Sequence, residues 1–222
     1  LVGQSLAAQF LAPLIADSPD REGLQVVLYG LGFHGLALLG WPLFHFGRRR
    51  AYASYGAAPD EPRPVRRQAW SYVFWTGFAT LLLALPVLAL TSAGWNLILR
   101  AAGLPDAPQD LIAIFGAVKS PVVLIAMILV ATVVAPINEE LLFRGVIYRF
   151  FRQRFGRAIA FVVSGSLFGL LHGNWAGFVP LAVLGIALAI AYEHSGDIRV
   201  PIVAHGLFNL NTTVVILSGL TA

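Results

Sequence analysis

Cysteine is absent from the 222 residues of this chain, which excludes disulfides, thiolate metal sites and cysteine nucleophiles. Charge is scarce: Asp, Glu, Lys and Arg make up 12% of the residues while hydrophobic ones reach 58%, against about a quarter and about half in a soluble domain. With a mean hydropathy of +0.76, this composition belongs to an integral membrane protein. There is no internal repeat and no low-complexity tract. No basic stripe interleaves with exposed aromatics, so the formal net charge of +4 does not point to nucleic acid. Its arginines lie in short loops, as in a polytopic protein that follows the positive-inside rule. The first apolar stretch lacks the basic n-region of a signal peptide. The chain starts at Leu1 rather than Met, which fits a truncated N-terminus.

What is present is a succession of apolar segments. Residues 1–16 are short and interrupted by Pro13, the end of a span or an interfacial helix. Residues 24–46 make a first span whose mid-span His34 reads as a neutral packing residue. Arg48, Arg49, Arg50, Arg63, Arg66 and Arg67 mark the following loop as cytoplasmic. Residues 69–92 make a second span, and 93–120 an external connection with one or two surface helices. The third span begins at 121 and leads into Arg149, Arg152, Arg154 and Arg157, again a cytoplasmic signature. Residues 158–173 are helical in pattern, rich in small residues that allow close helix approach (Ser164, Gly165, Ser166, Gly169), and short for a full span. Segments 178–193 and 200–218 complete the set. The expected fold is all-α: a polytopic transmembrane helical bundle of about six to seven spans with an intramembrane polar cavity.

The chain is organised around residues 121–150, where Asn138, Glu139, Glu140 and Arg144 interrupt an apolar run. Each charge inside a span costs roughly 2.5–3.5 kcal/mol on insertion scales, so three unpaired ones would cost about 8 kcal/mol. Glu140 and Arg144 are four apart, share a helix face and can pair. Glu139 lies about 100° away around the helix and has no partner on its own helix. An intramembrane ionisable residue of this kind marks a functional site.

Two further polar pairs sit at helical spacing inside apolar segments: Phe168 with His172, and His205 with Asn209. At about 1.5 Å rise per residue, Glu139 lies about 15 Å from Arg149, His172 about 22 Å from Arg157 and His205 about 9 Å from Arg199. All three depths are within the membrane, so three helices can bring polar groups to one place. Other intramembrane chemistries fail on the letters. Val162-Val163-Ser164-Gly165 lacks the first glycine of a rhomboid-type G-x-S-G, and His194-Ser195-Gly196-Asp197 lacks the first position of a G-x-G-D. No H-E-x-x-H is present. Histidines, an amide and a candidate general base remain.

Glu139-Glu140-Leu141-Leu142-Phe143-Arg144 resembles the E-E-x-x-x-R motif of the type II CAAX prenyl protease family, also called the CPBP or bacteriocin-processing family. Phe168-Gly169-Leu170-Leu171-His172 resembles its F-x-x-x-H motif, and His205-Gly206-Leu207-Phe208-Asn209 its H-x-x-x-N/D motif. The resemblance covers roughly residues 121–218, a catalytic helical core, and leaves 1–120 as a variable N-terminal membrane region with two spans. It implies peptide-bond hydrolysis within the membrane. Glu139 would activate water with His172 sharing it, and His205 and Asn209 would donate to the oxyanion. Glu140, Arg144 and Phe168 would be structural, the first two orienting Glu139. Glu139, His172 and His205 could alternatively coordinate zinc as a three-ligand open site, and a metal-free glutamate mechanism fits the same residues. The implied partners are the lipid bilayer and a protein or peptide substrate, prenylated or not. The implied location is the bacterial cytoplasmic membrane, as a multi-pass protein. Two competing readings are a non-proteolytic protein of the same fold, in bacteriocin immunity or scaffolding, and a proton-coupled transporter, whose inverted repeat is not visible.

Overall fold

The computed structural model describes residues 12–55, 68–107 and 110–219, and among these there is no strand. A turn of 3₁₀ helix (Ala12–Ile15) is followed by α1 (Arg21–Tyr55), α2 (Trp70–Ala101) and α3 (Asp110–Ala117). A long helical run then starts at Pro121. It comprises α4 (Pro121–Leu129), a π segment (Val130–Val134), α5 (Ala135–Leu142), a second π segment (Phe143–Tyr148) and α6 (Arg149–Leu171). Helices α7 (Trp175–Ser195) and α8 (Arg199–Leu217) close the chain. Among the described residues five helices are long and apolar enough to cross a membrane: Arg21–Gly40, Trp70–Ala101, Pro121–Leu171, Trp175–Ser195 and Arg199–Leu217. This is a helical bundle and a multi-pass membrane protein. The expected apolar segment 1–16 lies outside the described residues except for its last turn, as do Arg63, Arg66 and Arg67.

Three boundaries differ from the sequence expectation. Helix α1 runs to Tyr55, nine residues past the expected end at 46, so Arg48, Arg49 and Arg50 lie in the helix and not in a loop. Helix α2 runs to Ala101, nine residues past the expected end at 92, because nothing breaks the helix before Gly103 and Pro105. The segments 121–150 and 158–173 belong to one run, interrupted at Gly156 with φ 84° and ψ 177°. That conformation is open essentially to glycine alone. Beyond Gly156 the piece 157–171 is about 22 Å long at 1.5 Å per residue, short of a hydrocarbon core of about 30 Å.

By contact the chain forms two compact units, Leu1–Arg66 with Val118–Asn138, and Arg67–Ala117 with Glu139–Ala222. In the first, α1 packs on α4. Buried Asp20 precedes α1, and its carboxylate accepts the N–H groups of Lys119 (2.7 Å) and Ser120 (3.1 Å). Ser120 caps α4, its hydroxyl accepting from Val123 N at 3.5 Å, with Pro121 at the first helical position. His34 does more than pack, since its Nδ1 lies 2.9 Å from the Asn138 side-chain nitrogen, both groups being buried. An amide nitrogen can only donate, so Nδ1 accepts.

In the second unit α6 packs along α7, and α2 lies against α7 and α8. The core holds Ala84, Leu88, Phe143, Phe168, Leu184, Leu188 and Ala204. Small residues set the α6–α7 distance. A Cβ on Gly165 would meet the Ala182 carbonyl oxygen at 2.6 Å, and one on Gly185 would meet the Gly165 Cα at 2.9 Å. Asn174 caps α7 through Gly177 N at 2.8 Å, and Trp95 Nε1 donates to the Trp175 carbonyl at 2.7 Å. The turn between α7 and α8 is fixed by Asp197, which is buried and receives Arg199 Nη2 at 2.6 Å and Gln68 N at 3.3 Å. The Arg199 guanidinium also donates to the Gln68 carbonyl at 2.8 Å and lies 4.7 Å from the Trp70 ring centroid.

Two predictions follow from this packing. Gly165→Ala forces α6 and α7 apart against backbone atoms, so it should destabilise by about 1–3 kcal/mol, read as a lowered unfolding temperature in detergent micelles. The Arg199 guanidinium, by hydrogen bonding to Asp197, holds that carboxyl below the ordinary Asp range. The resulting stability is fully present above the unfolded Asp value, roughly 3.9, and is lost as pH falls through the depressed folded value. Wild type should therefore lose more stability on acidification from neutral pH to below that range than Asp197→Asn, as followed by thermal unfolding at each pH.

Candidate active site

The site is assembled from α5, the second π segment, α6, α7 and α8. Successive residues on a helix project about 100° apart. Glu140 can therefore point into the interior, where its side chain is 0% exposed, while Glu139 stays at the margin at 21%. Arg144 follows one turn later inside the π segment Phe143–Tyr148. Such segments are rare and occur often at functional sites.

The expected Glu140–Arg144 ion pair is present, with Nη1 2.9 Å from Oε1 and both side chains fully buried. Arg144 Nη2 donates to the carbonyl of Gly185 on α7. Its guanidinium also lies 5.3 Å from the centroid of the Phe168 ring, a cation–π contact in a desolvated setting. Sequence reasoning missed Gly185. The only trace of its role was a glycine in the middle of an otherwise unbroken apolar helix.

His205 arrives from α8 and lies between the two carboxylates. Its Nδ1 is 2.9 Å from Glu140 Oε1, and its Nε2 is 3.9 Å from Glu139 Oε2. The first distance is a hydrogen bond and the second is too long for one. Glu139 Oε2 is buried and, among the described residues, has no hydrogen-bond partner; the same holds for Glu140 Oε2, Arg144 Nε and Ser164 Oγ. Glu139, which by sequence had no partner on its own helix, thus faces an imidazole from another one.

His172 ends α6. Its Nδ1 is 2.7 Å from the Phe168 carbonyl, which can only accept, so the proton is on Nδ1 and Nε2 is left as an acceptor. The Phe168 ring, fully buried, joins the two histidines, with ring centroids 4.8 Å from His172 and 5.5 Å from His205. Asn209 stands one turn beyond His205 on α8, where its carbonyl accepts the Thr213 hydroxyl at 2.8 Å. The fold therefore gathers Glu139, Glu140, Arg144, Phe168 and His205, and His172 meets this group through Phe168. Among the described residues no three His, Asp or Glu side chains are grouped as metal ligands.

Removing Arg144 would leave the Glu140 charge buried and uncompensated, a loss of about 3–5 kcal/mol. Arg144→Met should accordingly lower stability by that amount in denaturant unfolding, and a change under about 1 kcal/mol would contradict a buried pair.

Comparison with known proteins bears on the same stretch. Residues 121–211 match the family described as type II CAAX prenyl endopeptidase Rce1-like. The Bacillus subtilis (strain 168) protein named "Putative membrane peptidase YdiL" is 33% identical over 91 residues, 41% of this chain and 36% of that protein. The Lactococcus lactis (strain IL1403) protein named "UPF0177 protein YbdI" is 37% identical over 82 residues, 35% of this chain and 42% of that protein. The chain matches less than half the length of each of these two relatives. No solved structure matches it. The matched residues 121–211 hold Glu139, Glu140, Arg144, Phe168, His172, His205 and Asn209.

Proposed function

We propose that this protein is an intramembrane endopeptidase of CAAX type, with its catalytic core in residues 121–218. The observation that carries the reading is the pair Glu139 Oε2 and His205 Nε2, 3.9 Å apart, with the carboxylate oxygen buried and lacking a protein hydrogen-bond partner. At that separation one water can bridge the two groups. In the reaction, Glu139 takes a proton from a water as the water oxygen attacks the scissile carbonyl carbon. The carbonyl oxygen becomes an oxyanion, and donors from His205 and Asn209 stabilise it. Collapse breaks the C–N bond, and the proton held by Glu139 passes to the leaving amine. His172, with Nε2 as acceptor, holds the water for attack. The two histidines are held by neighbours, His205 by Glu140 and His172 by the Phe168 carbonyl, which limits reorganisation in a low-dielectric site.

The substrate would be a membrane-associated protein or peptide cut near its C-terminus, prenylated or not, and the location the bacterial cytoplasmic membrane. An immunity or scaffold role on the same fold would make no use of a partly exposed carboxylate set opposite a histidine nitrogen, which favours the enzyme.

Glu139→Gln removes the base while keeping size and shape. It should reduce cleavage of a farnesylated peptide in proteoliposomes by at least about 10²-fold, with the unfolding temperature unchanged. Undiminished cleavage by that variant would end the glutamate reading.

A further inference from the structure

We infer that Glu140 is a positioning residue for His205, fixing the ring proton on Nδ1 and thereby turning Nε2 toward Glu139. The sequence suggested that Glu140 and Arg144 brace the helix and orient Glu139. The geometry assigns Glu140 a different client, 65 positions away on another helix.

Glu140 Oε1 accepts from Arg144 Nη1 at 2.9 Å and lies 2.9 Å from His205 Nδ1, with all three side chains 3% exposed or less. A carboxylate bonded to a guanidinium is ionised, and an ionised carboxylate can only accept. The proton of that contact therefore sits on Nδ1, and a neutral ring then presents a bare Nε2. Rotating the ring by half a turn would take Nδ1 away from Glu140 and leave a fully buried carboxylate short of a donor, at a desolvation cost that such a site does not tolerate. Phe168 closes the remaining side, with its ring edge-on to the imidazole at 72°. Orientation and tautomer are thus both set, and the remaining nitrogen has Glu139 Oε2 as its facing group.

This is the arrangement by which a buried carboxylate holds a histidine in a catalytic triad, with the second ring nitrogen left for chemistry. It also constrains the oxyanion role: His205 donates from Nε2 only while its ring carries both protons, since Nδ1–H is already committed to Glu140. Arg144, through its hold on Glu140 Oε1 and its bond to the Gly185 carbonyl, keeps the carboxylate in place beneath the ring. The tautomer assignment stands on geometry alone, and its bearing on cleavage rests on the proposed function.

The test uses the full chain in detergent micelles with ¹⁵N-labelled histidine, and His205 is identified by the signal that His205→Gln removes. In wild type the spectrum should show Nδ1 of His205 protonated. Finding the proton on Nε2 alone would overturn the inference. In Glu140→Gln the amide can present its NH₂ to Nδ1, so the single Nδ1–H form should give way to a mixture or to the Nε2–H form. Cleavage of a farnesylated peptide should then fall by about 10- to 100-fold, in kcat with KM nearly unchanged. A drop in cleavage with an unchanged tautomer would also overturn it. If Glu140→Gln does not fold, the wild-type spectrum still decides. If Glu139→Gln keeps cleaving while the tautomer results hold, the protease reading falls and the positioning of His205 stands.

Discussion

A carboxylate with no exposure, Glu140, is the constraint on which the packing of the candidate site depends. Taking such a charge out of water costs several kcal/mol even after relaxation, and only well-placed donors offset it. Glu140 Oε1 has two, Arg144 Nη1 and His205 Nδ1. Each donor ties down another element: Arg144 reaches the Gly185 carbonyl on α7, and His205 belongs to α8. Satisfying one buried charge therefore requires three helical segments to converge. Phe168 from α6 completes the group, touching Arg144, His172 and His205 with its ring.

Convergence of this kind needs room between backbones. Gly165 on α6 and Gly185 on α7 meet where a Cβ on either would run into the opposite helix. In a bilayer, where apolar side chains gain little by leaving lipid, close van der Waals packing through small residues holds helices together. The same closeness puts the Gly185 carbonyl within reach of Arg144. The local glycine pattern and the remote ion pair are thus two parts of one arrangement.

The treatment of other acids in the chain sharpens the contrast with Glu139. Asp20 receives two backbone N–H groups, Glu193 receives the Tyr148 hydroxyl and Arg152, and Asp197 receives Arg199 and Gln68. Each of these carboxylates is occupied with holding helices or turns. Glu139 Oε2 is buried and has no hydrogen-bond partner among the described residues. Glu140 Oε2 and Ser164 Oγ are left without a partner in the same way, but only the Glu139 oxygen faces a histidine nitrogen from a side chain that is itself partly exposed, which is the physical ground for proposing chemistry there.

The amino-acid order by itself determined what depends on neighbours a few residues apart. Apolar run lengths gave the helical bundle, Gly156 fell in the expected gap between 150 and 158, and the spacing of four gave the Glu140–Arg144 pair. The motifs of residues 121–211 were legible for the same reason, because each lies within two turns of one helix. The partner of His34 and the bond from Arg144 to Gly185 were not legible. Nor was the rotation of His205 onto Glu140. Those contacts join residues 41 to 104 positions apart, and helical periodicity says which face a side chain is on but not which helix that face will meet. Only the packed tertiary structure decided that Glu140 goes to the imidazole and Glu139 is left facing its other nitrogen, because burial obliged the deeper carboxylate to take both donors.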